Sequence, residues 1–282
     1  MCKAVCDVCF RHCVIPEGGT GFCGGRVCKG GKVAAGNYGL VTSLALDPIE
    51  KKPLARFHPG SLILSVGSYG CNLRCPFCQN NSISWSREAM TMGDRAEYIS
   101  PETLAEIAAG YRKRGNIGVA FTYNEPLIGY EYVLDTAKLV REAGMKNVMV
   151  TNGTAELPVL RELLPYIDAM NIDLKGFTER YYRDVLGGDL KQVLDFIEEA
   201  ASGCHVELTT LIIPGENDSE DEMRELTAWI SALPGGEDIP LHISRFFPQF
   251  HMTDRDATDV SHIYHLADIA RENLKNVYTG NC

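Results

Sequence analysis

The rhythm of apolar and polar positions changes near residue 60. Beyond that point short, nearly continuous apolar runs alternate with longer stretches in which apolar residues recur at helical spacing. The runs predict strands at LILSV (62–66), IGVAFTY (117–123), NVMVT (147–151), AMNID (169–173), VELTTLI (206–212) and PLHIS (240–244), with NVYTG (276–280) as a candidate seventh. The amphipathic stretches predict helices near 101–114, 131–143, 156–164, 190–202, 219–232 and 259–274. Two carry start signals: Ser100 ahead of Pro101, and the S-x-x-E box of Ser219 and Glu222. Six strands alternating with six helices imply parallel βαβ units with right-handed crossovers. An open doubly wound sheet and a barrel, whole or partial, both fit this alternation. Residues 1–55 differ, being rich in Cys and Gly with short β-like runs, GKVAAGNYG and VTSLAL. They are expected to form a small separate module ahead of a core spanning 56–282.

Composition narrows the class of protein. The chain has 282 residues, 45% hydrophobic and 23% charged, ordinary values for a globular α/β protein. No apolar run approaches the roughly 18 residues that span a bilayer, and the opening MCKAVCDVCFRHC lacks the apolar core of a secretion signal. A net charge of −10 with no basic stripe argues against nucleic acid as a partner. A cytoplasmic protein, free of membrane, is expected.

Eleven cysteines are many for such a chain, and seven fall into two tight groups. Clustered cysteines in a protein without an export signal suit metal ligation better than disulfides. Cys6, Cys9, Cys13 and Cys23 run C-x2-C-x3-C-x9-C. Four thiolates close a site completely, so this one is structural or an electron relay. Zinc and an auxiliary [4Fe–4S] cluster both accept four cysteines, and the close spacing of the first three favours iron–sulfur. Cys71, Cys75 and Cys78, in GCNLRCPFCQN, supply only three. Of the remaining cysteines, Cys204 reads as a small buried hydrophobe.

Parallel α/β folds gather functional groups at the C-terminal ends of their strands. Here those ends carry the three-cysteine loop, YNEP with Asn124 and Glu125, TNG with Asn152, DLK with Asp173 and Lys175, IIPGEND, and then His242, Ser244 and Arg245. His242 and Arg245 are the candidate catalytic side chains. Each feature alone has a plain structural explanation, whereas six strands delivering polar or cysteine residues to one rim do not.

C-x3-C-x2-C after a first strand resembles the motif of the radical S-adenosylmethionine (SAM) superfamily, and the resemblance extends over roughly residues 60–280. It implies a partial (β/α)6 barrel. It also implies that Cys71, Cys75 and Cys78 hold three irons of a [4Fe–4S] cluster, the fourth being left for the amino and carboxylate groups of S-adenosylmethionine. YNEP stands where the family has GGEP, which gives Asn124 and Glu125 to the methionine amino group, although it departs in two of four residues. TNG and DLK look like the matching segments of glycyl-radical activating enzymes and place Asn152, Asp173 and Lys175 at the methionine and ribose. LIIPG would lay Ile212 and Ile213 against adenine.

DPIEKKPL (47–54), CQNNSIS (78–84), TYNEPLI (122–128), MNIDLKGF (170–177), TTLIIPGENDSE (209–220) and HISRFFPQF (242–250) together resemble one subfamily, the AmmeMemoRadiSam radical enzymes. Its name points to Memo-like and AMMECR-type proteins as partners, beside an electron donor such as flavodoxin or ferredoxin. The chemistry implied is reductive cleavage of S-adenosylmethionine to a 5′-deoxyadenosyl radical that takes hydrogen from a small-molecule or protein substrate. Arg245, Phe246 and Phe247 would receive an anionic or aromatic substrate, or the two Phe simply pack the barrel mouth. A glycyl-radical activase is the alternative enzyme, but activases commonly insert ferredoxin-like cysteines after the three-cysteine loop and residues 79–100 contain none. A non-catalytic zinc-binding protein is the alternative of another class, and it leaves the polar rim unexplained.

Overall fold

The computed structural model describes residues 2–282. The N-terminal segment makes two hairpins, β1 (Lys3–Val5) with β2 (Val14–Pro16) and β3 (Arg26–Lys29) with β4 (Lys32–Ala35). Next come β5 (Leu40–Val41), β6 (Ser43–Pro48) and β7 (Leu62–Gly67), the short α1 (Asn81–Ser84), and β8 (Glu97–Tyr98), which returns to pair with β5. Strand and helix then alternate: α2 (Pro101–Gly110), β9 (Asn116–Phe121), α3 (Tyr130–Glu142), β10 (Lys146–Thr151), α4 (Leu157–Leu163) and β11 (Ala169–Asp173). The chain closes with α5 (Leu190–Gly203), β12 (His205–Ile212), α6 (Glu220–Ala232), β13 (Leu241–Arg245), α7 (Val260–Ala270) and β14 (Val277–Gly280). Caps fix several helix starts: Ser100 accepts from the Thr103 amide, Asp189 from Gln192 and Asp259 from Ser261.

The main sheet runs β6-β7-β9-β10-β11-β12-β13-β14, parallel throughout except for the antiparallel edge strand β6. Its strand order never reverses, as an open doubly wound sheet would require. Leu64, Val66, Val119, Phe121, Met170 and Leu208 pack under the helices, while Ile63, Ala120, Val148 and Ala169 face the other way into a second core with Ile49 and Leu54. β7, β9 and β10 are therefore largely apolar on both faces, which is why they read as continuous runs, whereas β11, β12 and β13 turn Asn171, Glu207 and His242 inward. A sheet wound in one direction around its own inner core is a partial barrel. No helix among the described residues is long and apolar enough to cross a membrane.

Residues 49–57 fill the N-terminal end of this barrel. Asn171 on β11 donates to the Pro53 carbonyl at 2.8 Å. Glu207 on β12 accepts from the amides of Ala55 and Arg56 at 2.8 and 2.7 Å, and from His205 and His242 Nε2 at 2.9 and 2.6 Å. Burial works against its carboxylate, but the two histidines and two amides outweigh that and hold its pKa at about 2.

Three features depart from the sequence expectations. VTSLAL, placed in the N-terminal module, ends β5 at Val41 and then opens β6, which pairs with β7 from Ser43–Gly67 to Pro48–Leu62. A short run on a sheet edge has no periodicity that names its partner. The Ser219 cap forms, but Glu222 does not reach back; its carboxylate accepts from the Phe177 amide at 2.6 Å and so ties α6 to the loop after β11. Residues Tyr181–Leu186 form a π-helix, with Tyr181 and Tyr182 buried.

Glu207→Ala removes one acceptor from four donors, and it is expected to destabilise the fold by about 3–5 kcal/mol in denaturant unfolding. The folded pKa lies below the ordinary glutamate value of about 4.3, so the stabilisation is complete above that value and is lost as pH falls through the folded pKa of about 2. The stability gap between wild type and Glu207→Gln should shrink as pH falls from about 5 to about 3; a constant gap contradicts the assignment.

Candidate functional site

A cavity of about 280 Å³ opens at the C-terminal ends of the parallel strands. Cys71, Cys75 and Cys78 form one wall, and Asn124, Glu125, Asn152, Asp173 and Lys175 line the others. The cysteine loop leaves β7 through Gly70, whose φ of +93° and 2.6 Å approach of an added Cβ to the Cys23 carbonyl both require glycine. The next amide, of Cys71, donates to that same carbonyl at 3.1 Å. Inside the loop, the Leu73 amide points at Cys71 Sγ, 3.4 Å away, and the Cys78 amide closes a turn on the Cys75 carbonyl at 3.2 Å.

Burial pushes all three thiols up, Cys75 to about 11 and Cys71 well above the usual range. Mutual repulsion of their anions adds to this. Three such thiols side by side, Cys75 buried and the other two partly buried, ionise together only when cations compensate them, as iron does in an iron–sulfur cluster. Among the described residues no three Cys, His, Asp or Glu side chains close to metal-binding distances; the fit rests on the three thiols facing one space.

The YNEP loop joins the cysteine loop to β10. Asn124 accepts from the Ser68 amide at 2.9 Å and donates to the Gly70 carbonyl at 3.2 Å. Glu125 is only 3% exposed and accepts from the Leu127 and Asn152 amides at 3.0 and 2.8 Å and from the Thr151 hydroxyl at 2.7 Å. Burial dominates and raises its pKa to about 7. Asn152 donates to Asn72 Oδ1 at 2.9 Å and lies 3.8 Å from Cys71 Sγ. Asp173 and Lys175 pair at 2.7 Å. Burial disfavours the ammonium of Lys175, but Asp173 and Cys75 outweigh it and hold the pKa well above its ordinary value.

Four expected site residues lie away from this cavity. His242, in the barrel interior near its N-terminal end, is spent on Glu207 and stacks on Tyr278 at 5.2 Å. Arg245 donates to the Thr258 carbonyl at 2.6 Å. Ile212 and Ile213 are fully buried in the core beneath the helices, and Leu211, the residue before them, lines the cavity. Strand alternation explains Ile212: Thr209 and Leu211 face inward, so Ile212 faces out. Ser244, named at the end of its strand, lines the cavity, and so do Tyr123, Thr151, Thr209 and Leu211, which were assigned no role. The inward period of β12, starting from Glu207, was the signal that could have found Thr209 and Leu211.

Cys6, Cys9, Cys13 and Cys23 line a second, much smaller void together with Arg11 and Arg26. Burial lifts Cys9 to about 11 and raises Cys23. Arg26 pairs with Glu131 on α3 at 2.6 Å and anchors this module to the barrel. Arg11 donates to the Asn72 carbonyl at 2.8 Å, and Arg74 donates to the Phe22 carbonyl, so the two cysteine groups are clasped together.

A family model described as the Radical SAM superfamily matches residues 65–227. The chain is 41% identical to an uncharacterized protein of Methanocaldococcus jannaschii over 99% of its own length and 81% of that protein's. It is 27% identical to the pyruvate formate-lyase-activating enzyme of Clostridium pasteurianum, over 61% of this chain and 71% of that one. Among solved structures it resembles a domain of pyruvate-formate lyase-activating enzyme from Bacteroides vulgatus (TM-score 0.50, 19% identity, 58% of this chain and 99% of that one). It also resembles Streptococcus suis SuiB bound to S-adenosylmethionine (TM-score 0.58, 15% identity, 76% of this chain and 48% of that one). A partial barrel that sets three cysteines at the end of its first parallel strand, matched by that family model over more than half its length, makes this chain a member of the radical SAM superfamily.

Proposed function

We propose that the chain is a radical SAM enzyme whose catalytic [4Fe–4S] cluster sits on Cys71, Cys75 and Cys78 and whose cavity takes S-adenosylmethionine against Asn124, Glu125, Asn152, Asp173 and Lys175. The observation that carries this reading is that three cysteines, Cys75 buried and Cys71 and Cys78 partly so, face one cavity together with the Asp173–Lys175 pair. When bound, such a cluster and cofactor supply one electron and a hydrogen-abstracting 5′-deoxyadenosyl radical. The chain's own residues orient and desolvate. Asp173 and Lys175 offer opposite charges suited to the ammonium, hydroxyl and carboxylate groups of the cofactor. Glu125 acts chiefly through the loop it organises, since all its bonds are to protein donors.

The four N-terminal cysteines are assigned to a second [4Fe–4S] cluster that relays electrons, with zinc as the alternative. The Cys23 carbonyl bonded to the Cys71 amide supports a relay, because a ligand of one group touches a ligand of the other. AmmeMemoRadiSam membership, with Memo-like and AMMECR-type partners and a flavodoxin or ferredoxin as donor, is the finer reading. It rests on the motifs quoted above. Similarity to pyruvate formate-lyase-activating enzymes favours a second reading, in which a glycyl radical is generated on a protein partner.

Anaerobically reconstituted protein should cleave S-adenosylmethionine to 5′-deoxyadenosine, and Cys71→Ala, Cys75→Ala or Cys78→Ala should each abolish this. Full activity with zinc alone would sink the radical reading. Asp173→Ala should weaken cofactor binding by about 1.5–3 kcal/mol, roughly ten- to a hundredfold; Glu125→Ala should do so comparably, with the cluster still assembled. Unchanged affinity in both would move the cofactor elsewhere on the rim.

Metal analysis tests the second site. Wild type should hold about eight irons, and a variant with Cys6, Cys9, Cys13 and Cys23 changed to Ala should keep about half. About four irons plus one zinc would make the N-terminal site a zinc site.

A further inference from the structure

Three consecutive carbonyls of the cysteine loop are gripped from outside it. The Trp85 indole donates to the Cys75 carbonyl at 3.2 Å, the His251 amide to Pro76 at 2.8 Å, and the Gln249 side-chain amide to Phe77 at 2.5 Å. The last two come from a loop that leaves β13 and folds back over the cavity wall. Its base is pinched shut: Arg245 donates to the Thr258 carbonyl, the Thr258 amide to the Phe246 carbonyl at 3.2 Å, and the Thr258 hydroxyl to the Ile212 carbonyl at 2.6 Å. Its tip is a tight turn in which Gln249 and Met252 exchange backbone bonds at 3.1 and 3.0 Å, with Phe250 at φ +55°. Phe250 packs edge-on against Trp85 at 4.9 Å, which ties the loop to the segment following the cysteines. A loop with closed ends and its own packing is an Ω-loop, held in one place rather than draped.

We propose that Trp85, Gln249 and the His251 peptide are positioning residues for the catalytic cluster, fixing the peptide dipoles between Cys75 and Cys78 and so setting its reduction potential. The inference rests on the assignment of that cluster to Cys71, Cys75 and Cys78. Each donor pins the negative end of a peptide dipole to a residue outside the lining of the cavity that the three thiols face. The Cys75 carbonyl is shared between the Trp85 indole and the Cys78 amide, whereas the Pro76 and Phe77 carbonyls are held by the Ω-loop through His251 and Gln249. Reduction adds negative charge to the cluster, and potentials of such clusters follow hydrogen bonding and local dipoles. A released carbonyl that swings inward would make reduction harder. Arg245 thereby acquires a place in the protein: it closes the base of the loop that holds the cluster segment.

Gln249→Met and Trp85→Phe remove the donors while keeping side-chain bulk. Potentiometric titration followed by electron paramagnetic resonance would read the cluster signal that is absent from Cys75→Ala. Each variant should bind iron and S-adenosylmethionine as wild type does, with a midpoint shifted to more negative potential, and the double variant should shift further. Loss of iron confined to the double variant would also support a positioning role. A double variant with wild-type iron content, midpoint and line shape would overturn the proposal. Wild type that assembles no signal dependent on Cys75 would instead overturn the cluster assignment beneath it.

Discussion

A buried thiol resists ionisation, and Cys71, Cys75 and Cys78 are raised by burial before their mutual repulsion is counted. The same loop has to present three thiolates if it is to hold iron, so it folds against an electrostatic debt that only a cation can cancel. The surroundings follow from that constraint. Amide hydrogens and side-chain donors face sulfur, as at Leu73 and Asn152, and Lys175 sits where its charge favours the Cys75 thiolate. The carbonyls of Cys75, Pro76 and Phe77 are taken up by Trp85, His251 and Gln249. Lys175 is in turn kept charged by Asp173, which places an ion pair in the wall of a cavity that apolar side chains such as Leu73, Phe77 and Leu211 share with polar ones such as Asn124, Asn152 and Thr209.

Contact between the two cysteine groups is equally specific. Gly70 lets the backbone after β7 pass within reach of the Cys23 carbonyl, and Asn72 links Asn152 on one side to the Thr154 carbonyl on the other. Arg11 and Arg74 both stack on Phe22, their guanidinium carbons 3.5 and 3.8 Å from its ring centre, while their donors bind the Asn72 and Cys71 carbonyls of the cysteine loop. The N-terminal module is thus built onto the cysteine loop and not merely tethered to the barrel.

Much of this was legible in the residues, because two-sided apolar strands separated by amphipathic helices have an unambiguous period. The strand ends then named the rim, and Asn124, Glu125, Asn152, Asp173 and Lys175 do line one cavity with the three cysteines. Pairing partners were not legible: nothing in VTSLAL says that it lies antiparallel on β7. Side-chain facing was misjudged where a strand delivers polar residues at both ends. His242 is the second residue of β13, a full layer below Ser244, and its partner Glu207 belongs to the floor. Long-range bonds such as Gln249 to Phe77 carry no sequence signature, since the donor and acceptor are separated by most of the barrel.

The central claim is that the three-thiol loop leaves one position of its cluster to the cofactor. Electron paramagnetic resonance of the anaerobically reduced protein, recorded with and without S-adenosylmethionine, tests it directly. The cluster signal should change on adding the cofactor, and should change in the same way when Cys6, Cys9, Cys13 and Cys23 are all replaced by alanine. A signal indifferent to S-adenosylmethionine, or one whose response disappears with the N-terminal cysteines, would contradict the account.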